Sequence, residues 1–397
     1  MRTPLRPLAV LVASAAVITQ GCASRAGTGS ALPAPIDPAG QIRSANAVKQ
    51  IGTPPTALKI VAPVDKWTWI NVPQSNCDDG STTGIGVNPG TGPDLVVFFD
   101  AGGACWDATT CLVENTALHG PVGATQFENS LPNLKNTILD RSLPNNPFAT
   151  ATLVEIPYCT GDLHAGSNIA TYVDPKGVAH AYHHTGYLNS LAFLQRIAAT
   201  WPVVNRLVIA GSSAGGFGAL LNYETYRQKI VALQYDLIDD SGPPLPNGAL
   251  AASIEADLFK NWKLADVTNP ICDCTKGFEP ALATLVKRYP NDRMSLLESE
   301  QDGTMRAYFQ LSGAQFQTEL NKTASDVMAG SYNARFFFVP GTTHMMLPDP
   351  TLFSENLPLV TWLKDQYTDS RSWDDESPTT SNAPPPKSTP NPLGFLI

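Results

Sequence analysis

The hexapeptide Gly211-Ser212-Ser213-Ala214-Gly215-Gly216 directly follows the apolar run Leu207-Val208-Ile209-Ala210 and precedes Phe217-Gly218-Ala219-Leu220-Leu221. In a Gly-x-Ser-x-Gly turn the glycines relieve crowding around a serine held between a strand and a helix. Its Oγ then projects at the carboxyl edge of a sheet, where the N-terminus of the next helix favours negative charge. Ser213 meets that spacing and Ser212 does not. A serine hydroxyl at its ordinary pKa is a poor nucleophile, so a general base must stand beside it and a third group must hold that base in its working tautomer. Of the six histidines only His344 follows Ser213, and the order serine, acid, histidine of α/β hydrolases selects it as the base. For the acid, Asp302 follows the penultimate apolar run in Glu298-Ser299-Glu300-Gln301-Asp302-Gly303, while Asp239 and Asp240 follow the run before it. The loop after the penultimate strand is the commoner seat in this fold, so Asp302 is the first choice, Asp240 the second and Glu300 the third. An oxyanion formed on attack needs preorganised N–H donors. Ala214 supplies one and the Gly102-Gly103 pair another, with the choice of glycine open, and Trp106 just beyond offers an apolar wall to the substrate.

Short apolar runs bounded by turn residues must carry these groups. They are Leu95 to Asp100, Leu153 to Ile156, Arg206 to Ala210, Tyr235 to Asp239, Met294 to Leu297 and Arg335 to Val339. Several are nearly continuous in apolar character, as strands covered on both faces are, and helix-period segments alternate with them. The fold class is therefore α/β, an α/β-hydrolase-like and mostly parallel central sheet with helices on both faces. Leu188, Leu191, Leu194 and Ala198 predict a crossover helix, Trp67 to Val72 an edge strand, and Leu352 to Tyr367 a closing helix. His180, His183 and His184 lack a flanking carboxylate pair and read as loop or helix-start residues rather than a metal site. Asp162 and His164 either line the cleft or form turn hydrogen bonds. The mechanism calls for no cofactor and no metal.

From about Trp67 to Trp373 the chain resembles the pectin acetylesterase and Notum carboxylesterase family. The resemblance rests on the order of Val96-Val97-Phe98-Phe99-Asp100-Ala101-Gly102-Gly103-Ala104-Cys105, the segment Pro157 to Gly166, Gly211 to Gly216, Asp240-Ser241-Gly242 and the late His344. It implies cleavage of ester-linked acyl groups by Ser213, Asp302 and His344, with Asp240-Ser241-Gly242 structural. It also implies that Cys105 pairs with Cys111 and Cys77 with Cys159, leaving Cys272 and Cys274 for each other or for nothing. The chain departs from the family in carrying Ala104 directly after the double glycine, with Trp106 beyond Cys105, and in lacking the glutamine that usually follows the acid. The expected use is deacetylation of an O-acetylated polysaccharide, with acetyl esters preferred. The alternatives are a broader lipase, polyester hydrolase or long-chain deacylase on the same residues, and an inactive fold acting as an envelope binding protein.

The 397 residues suit one large domain with flanking segments, and 43% hydrophobic against 15% charged residues supplies a sizeable core. A net charge of −9 leaves no basic surface for nucleic acid. Arg2 and Arg6 before the apolar stretch Leu8 to Ile18, with Gly21-Cys22 after it, predict an export signal over residues 1–22, with Cys22 as a lipidation site. The protein is thus expected as a bacterial envelope lipoprotein or a secreted protein, touching a membrane only through that anchor. Without Cys22, six cysteines remain, an even number suited to disulfides in an oxidising compartment. Residues 23–57 read as a flexible linker, 58–373 as the esterase domain and 374–397 as a proline-rich, disordered tail.

Overall fold

A computed structural model describes residues 59–378. The export signal, Cys22, the linker and most of the proline-rich tail lie outside the described residues.

Among the described residues the central sheet has eight strands in the order β1-β2-β4-β3-β7-β8-β9-β10. Six of them coincide with the apolar runs: β3 (Leu95–Phe99), β4 (Thr152–Ile156), β7 (Val203–Ser212), β8 (Val231–Asp240), β9 (Arg293–Ser299) and β10 (Ala334–Val339). These six are mutually parallel. Two antiparallel strands, β1 (Thr68–Asn76) and β2 (Thr82–Asn88), extend the sheet beyond β4. Successive residues of a strand point to opposite faces. Leu95, Val97 and Phe99 accordingly enter one core cluster with Leu207 and Ile209, and Val96 and Phe98 enter the other with Val208 and Ala210. This two-sided burial explains why the strand sequences lack polar alternation. Helices Gly186–Thr200, Ala214–Lys229 and Glu279–Arg288 cover the first face, and helix Leu359–Tyr367 covers the second.

Four details differ from the sequence expectations. The crossover helix Gly186–Thr200 turns Phe193, Leu194, Ile197 and Ala198 to the sheet, while Leu188 is exposed; the buried stripe is rotated from the one its leucines suggested. The closing helix begins only at Leu359, because Phe353–Ser354 pairs with Leu357–Pro358 in a small hairpin ahead of it. The strand β2, TTGIGVN, and the hairpin of β5 (Asn168–Val173) with β6 (Ala179–His184) were not anticipated. Their sequences carry glycine, alanine and histidine where an apolar period would show. Finally, Asp374 to Glu376, assigned to the tail, runs along β10: Phe338 N–H donates to the Glu376 carbonyl at 2.8 Å, and Glu376 N–H to that of Phe336 at 2.9 Å.

Disulfides join Cys77 to Cys159, Cys105 to Cys111 and Cys272 to Cys274. The first two are the pairs the family resemblance implied. The first ties the loop after β1 to the end of β4, and the second closes the loop after β3.

Candidate active site

Ser213 sits between β7 and helix Ala214–Lys229 with φ 57° and ψ −119°. A non-glycine residue there is strained and persists only where its surroundings hold it. They do so here: Ser213 N–H donates to the Asp240 carbonyl at 2.7 Å, and the Ser213 carbonyl accepts from Gly216 N–H at 2.9 Å. The flanking glycines permit the turn. A Cβ at Gly211 would lie 2.0 Å from the Gly215 carbonyl oxygen, and one at Gly215 would lie 1.9 Å from that of Phe99. Close packing of the helix onto β3 therefore demands glycine.

The acid and base candidates meet because the loops after β9 and β10 run side by side. Their parallel register ends at Ser299 opposite Val339. Three backbone bonds continue it, from Glu300 to Val339, Gln301 to Gly341 and Gly303 to Thr342. Asp302 Oδ2 then lies 2.7 Å from His344 Nδ1. Asp302 is fully buried, and its Oδ1 accepts from the N–H groups of Thr304 and Met305, each at 2.8 Å. Because an ionised carboxylate only accepts, this contact places the proton on Nδ1 and leaves Nε2 of the neutral ring as a proton acceptor.

Asp240, the alternative acid, is committed elsewhere. Its carboxylate accepts from Ser212 Oγ at 2.6 Å and from the N–H groups of Met346 and Leu347 at 2.9 Å each. Beside it Ser241 Oγ accepts from Met345 N–H at 3.0 Å. Together they clamp the segment that follows His344, and Ser212 serves that clamp. Burial lifts the Asp240 pKa, while these hydrogen bonds pull it back. Glu300 lies beside Gln317, away from the imidazole contact. Sequence reasoning missed Glu298 on β9, whose carboxyl is wholly buried and held well above the usual range, first by burial and then by the negative Asp302 nearby.

Ser213 and Ala214 line a cavity with Gly103, Ala104 and Trp106. Gly103 has φ 73° and borders this cavity. Gly102 does not line it; a Cβ there would be 2.0 Å from the Tyr158 ring, and its carbonyl accepts from Leu118 N–H at 2.8 Å. Among the donor candidates, Gly103 and Ala214 share the cavity lining with Ser213, and Gly102 does not. The loop is pinned by Cys105 N–H on the Gly161 carbonyl at 2.9 Å and by Trp262 Nε1 on the Cys105 carbonyl at 2.9 Å. The Trp106 carbonyl accepts from Tyr172 Oη at 3.0 Å and Asn261 Nδ2 at 2.7 Å. The cavity holds about 510 Å³ of atom-free space, its mouth included, and its walls include Phe217, Ile254, Leu258, Trp262, Phe278 and Phe309. Most of these come from residues 250–278, which sequence reasoning left unassigned. The spacing of Ile254 and Leu258, one helical turn apart in Ala252–Asn261, was the available signal.

Asp162 and His164 take the turn-forming alternative. Asp162 accepts from Thr160 Oγ1 at 2.6 Å and Gly186 N–H at 2.7 Å, and His164 Nε2 donates to the Asp100 carbonyl at 2.9 Å. Burial lowers the His164 pKa to about 4. The three histidines of the β5–β6 hairpin are not gathered: His180 pairs with Asp174 at the surface, whereas buried His184 bonds Tyr172 Oη and the Thr160 carbonyl.

A mostly parallel sheet of this order, with an elbow serine after β7 and a hydrogen-bonded aspartate and histidine after β9 and β10, defines an α/β-hydrolase-like protein. A family model described as Pectinacetylesterase matches residues 65–270, more than half of the chain, and the chain belongs to that family. It is similar to the palmitoleoyl-protein carboxylesterase NOTUM of Drosophila melanogaster, 29% identical over 223 residues that cover 51% of this chain and 31% of the relative. The protein of that name from Schmidtea mediterranea is 26% identical over 157 residues, covering 39% of this chain and 29% of the relative. The chain thus spans about a third of the length of the curated relatives it matches. A solved structure of the Wnt deacylase Notum from Drosophila aligns over 79% of this chain and 97% of that one, with a TM-score of 0.55 and 18% identity, a likeness of fold.

Proposed function

We propose that the protein is a serine carboxylesterase that works through an acyl-enzyme and takes acyl chains longer than acetyl. In this scheme Ser213 Oγ attacks the ester carbonyl carbon as His344 Nε2 accepts its proton, and the N–H groups of Ala214 and Gly103 receive the oxyanion. The tetrahedral intermediate collapses with loss of the alcohol, which takes the proton from His344. Water then attacks the acyl-enzyme by the same route in reverse, and Asp302 holds the imidazole in its working tautomer throughout.

The observation that carries this reading is that Ser213 opens onto a cavity whose walls are apolar and rich in aromatic side chains. A two-carbon acyl group leaves such walls uncovered, and each further methylene buried there contributes about 0.8 kcal/mol. The expectation of an acetyl preference rested on Trp106 near the oxyanion loop and on the family resemblance. Trp106 borders the cavity, and residues 250–278 extend it. The description of the matching family model favours a second reading, deacetylation of a polysaccharide. The three disulfides support export, and Cys22 would be the lipid anchor.

Nitrophenyl esters from acetate to decanoate separate the readings. We expect kcat/KM to climb from two to about eight carbons, about fifteenfold or less per two carbons. Ser213→Ala should lower kcat by at least about a thousandfold and abolish fluorophosphonate labelling. A maximum at acetate would favour the deacetylase, and a wild-type chain that neither turns over nor labels would leave only a binding protein.

A further inference from the structure

Beyond the acyl cavity lies a second one of about 370 Å³ of atom-free space, and the two share Leu250, Leu258, Phe278 and Phe309 as a common wall. Helix Ala252–Asn261 contributes to both. Ile254 and Leu258, one turn apart, border the first; Glu255 and Phe259, one residue further round, border the second. The second cavity is otherwise lined mainly by Leu245, Pro246, Leu250, Leu258, Phe278 and Phe309, so among the described residues Glu255 is the one charged residue bordering an apolar chamber.

One oxygen of the Glu255 carboxyl is unsatisfied. Glu255 is 8% exposed, and its Oε1 is buried with no hydrogen-bond partner among the described residues. Burial raises its pKa, with Lys276 offsetting part of the rise. A buried acceptor without a donor costs stability, and such a group in a native structure calls for an explanation. A ligand that brings an O–H to it removes the cost. An ammonium would make a stronger bond but loses far more hydration on entering an apolar chamber.

We propose that the acyl pocket extends past the shared wall into the second cavity, and that Glu255 there accepts a hydrogen bond from a hydroxyl carried at the far end of the acyl chain. The preferred substrates are then esters of ω-hydroxy fatty acids. This rests on the esterase reading above and adds the chemistry of the distal end. The apolar wall admits the methylenes, and the single polar group selects the terminus.

The test compares nitrophenyl octanoate with 8-hydroxyoctanoate and decanoate with 10-hydroxydecanoate on the full chain. We expect the hydroxylated ester to lead by tenfold or more in kcat/KM for at least one length. Glu255→Leu should bring that ratio to one or below, whereas Glu255→Gln, whose amide oxygen still accepts, should keep a preference. A wild-type ratio at or below one for both lengths overturns the proposal, as does an unchanged ratio in Glu255→Leu. Should that variant fail to fold, the wild-type ratio and the Glu255→Gln ratio decide. Turnover of the plain esters together with fluorophosphonate labelling shows the esterase intact, so the absence of both would overturn the esterase reading instead.

Discussion

At the scale of single residues, two buried aspartates at the ends of adjacent parallel strands hold different partners. Asp302 faces an imidazole nitrogen, and Asp240 faces the backbone N–H groups of Met346 and Leu347. Removing charge from each has different consequences. In the proposed mechanism Asp302→Asn costs on the order of ten-thousandfold in kcat, because an amide can donate to Nδ1 and hold the wrong tautomer. Asp240→Asn leaves that contact in place. It weakens the clamp on the segment after His344, so the expected loss is about 1 to 3 kcal/mol of stability with a much smaller fall in kcat. Steady-state kinetics and denaturant melts of the two variants check this pair. The reverse ranking in kcat would seat the acid one strand earlier.

Among elements, the loop after β3 is the one whose shape the site depends on most, since it carries Gly103 and Trp106. It is closed by a bridge spanning six residues, while Cys77–Cys159 spans 82. A cross-link stabilises chiefly by restricting the unfolded chain, more for longer loops, which predicts about 4 to 5 kcal/mol for the long bridge and about 2 kcal/mol for the short one. Cys77→Ala/Cys159→Ala should therefore lower stability more than Cys105→Ala/Cys111→Ala. The short-bridge variant should in turn lose more activity per unit of stability, because Cys105 and Trp106 are anchored through that loop to Trp262, Tyr172 and Asn261. Urea titrations beside ester hydrolysis measure both. Equal stability losses with equal activity would show that neither loop length nor loop position matters here.

For the whole molecule, buried carboxyls set how stability changes with pH. Burial raises Glu155 on β4 to about 7, and Asp100 at the end of β3, also buried and beside the like charge of Glu155, is held well above its ordinary range. Unfolded, these groups lose their protons near 4. Between that value and about 7 the native state binds more protons than the unfolded one. Stability is therefore full below the unfolded pKa and is lost as pH rises through the folded one. Asp236, raised by burial to about 7, and Asp162, raised to about 6, act in the same direction. The melting temperature should fall from pH 5 to pH 8, and Glu155→Gln, which never ionises, should flatten that fall by a few degrees. A slope unchanged in the variant would mean that Glu155 ionises as it would in water.

The sequence by itself determined the six parallel strands and the candidate elbow at Ser213, because both are written in neighbouring residues: a continuous apolar run, a glycine on each side, a helix start. It also made His344 the candidate base by chain order. The tertiary structure decided what depends on distant residues coming together. Whether Asp302 or Asp240 meets an imidazole depends on the register of β9 against β10, and both are aspartates just past a strand. That Gly103 rather than Gly102 borders the cavity follows from the Tyr158 ring occupying the other side. The buried face of the crossover helix, with Leu188 outside it, was set by the sheet it packs on rather than by its own leucines. The cavity walls come from the elbow and helix after β7, the loop after β3, residues 250–278 and residues 305–309, segments far apart in the chain. A pocket is a relation between surfaces, and no local pattern encodes its depth.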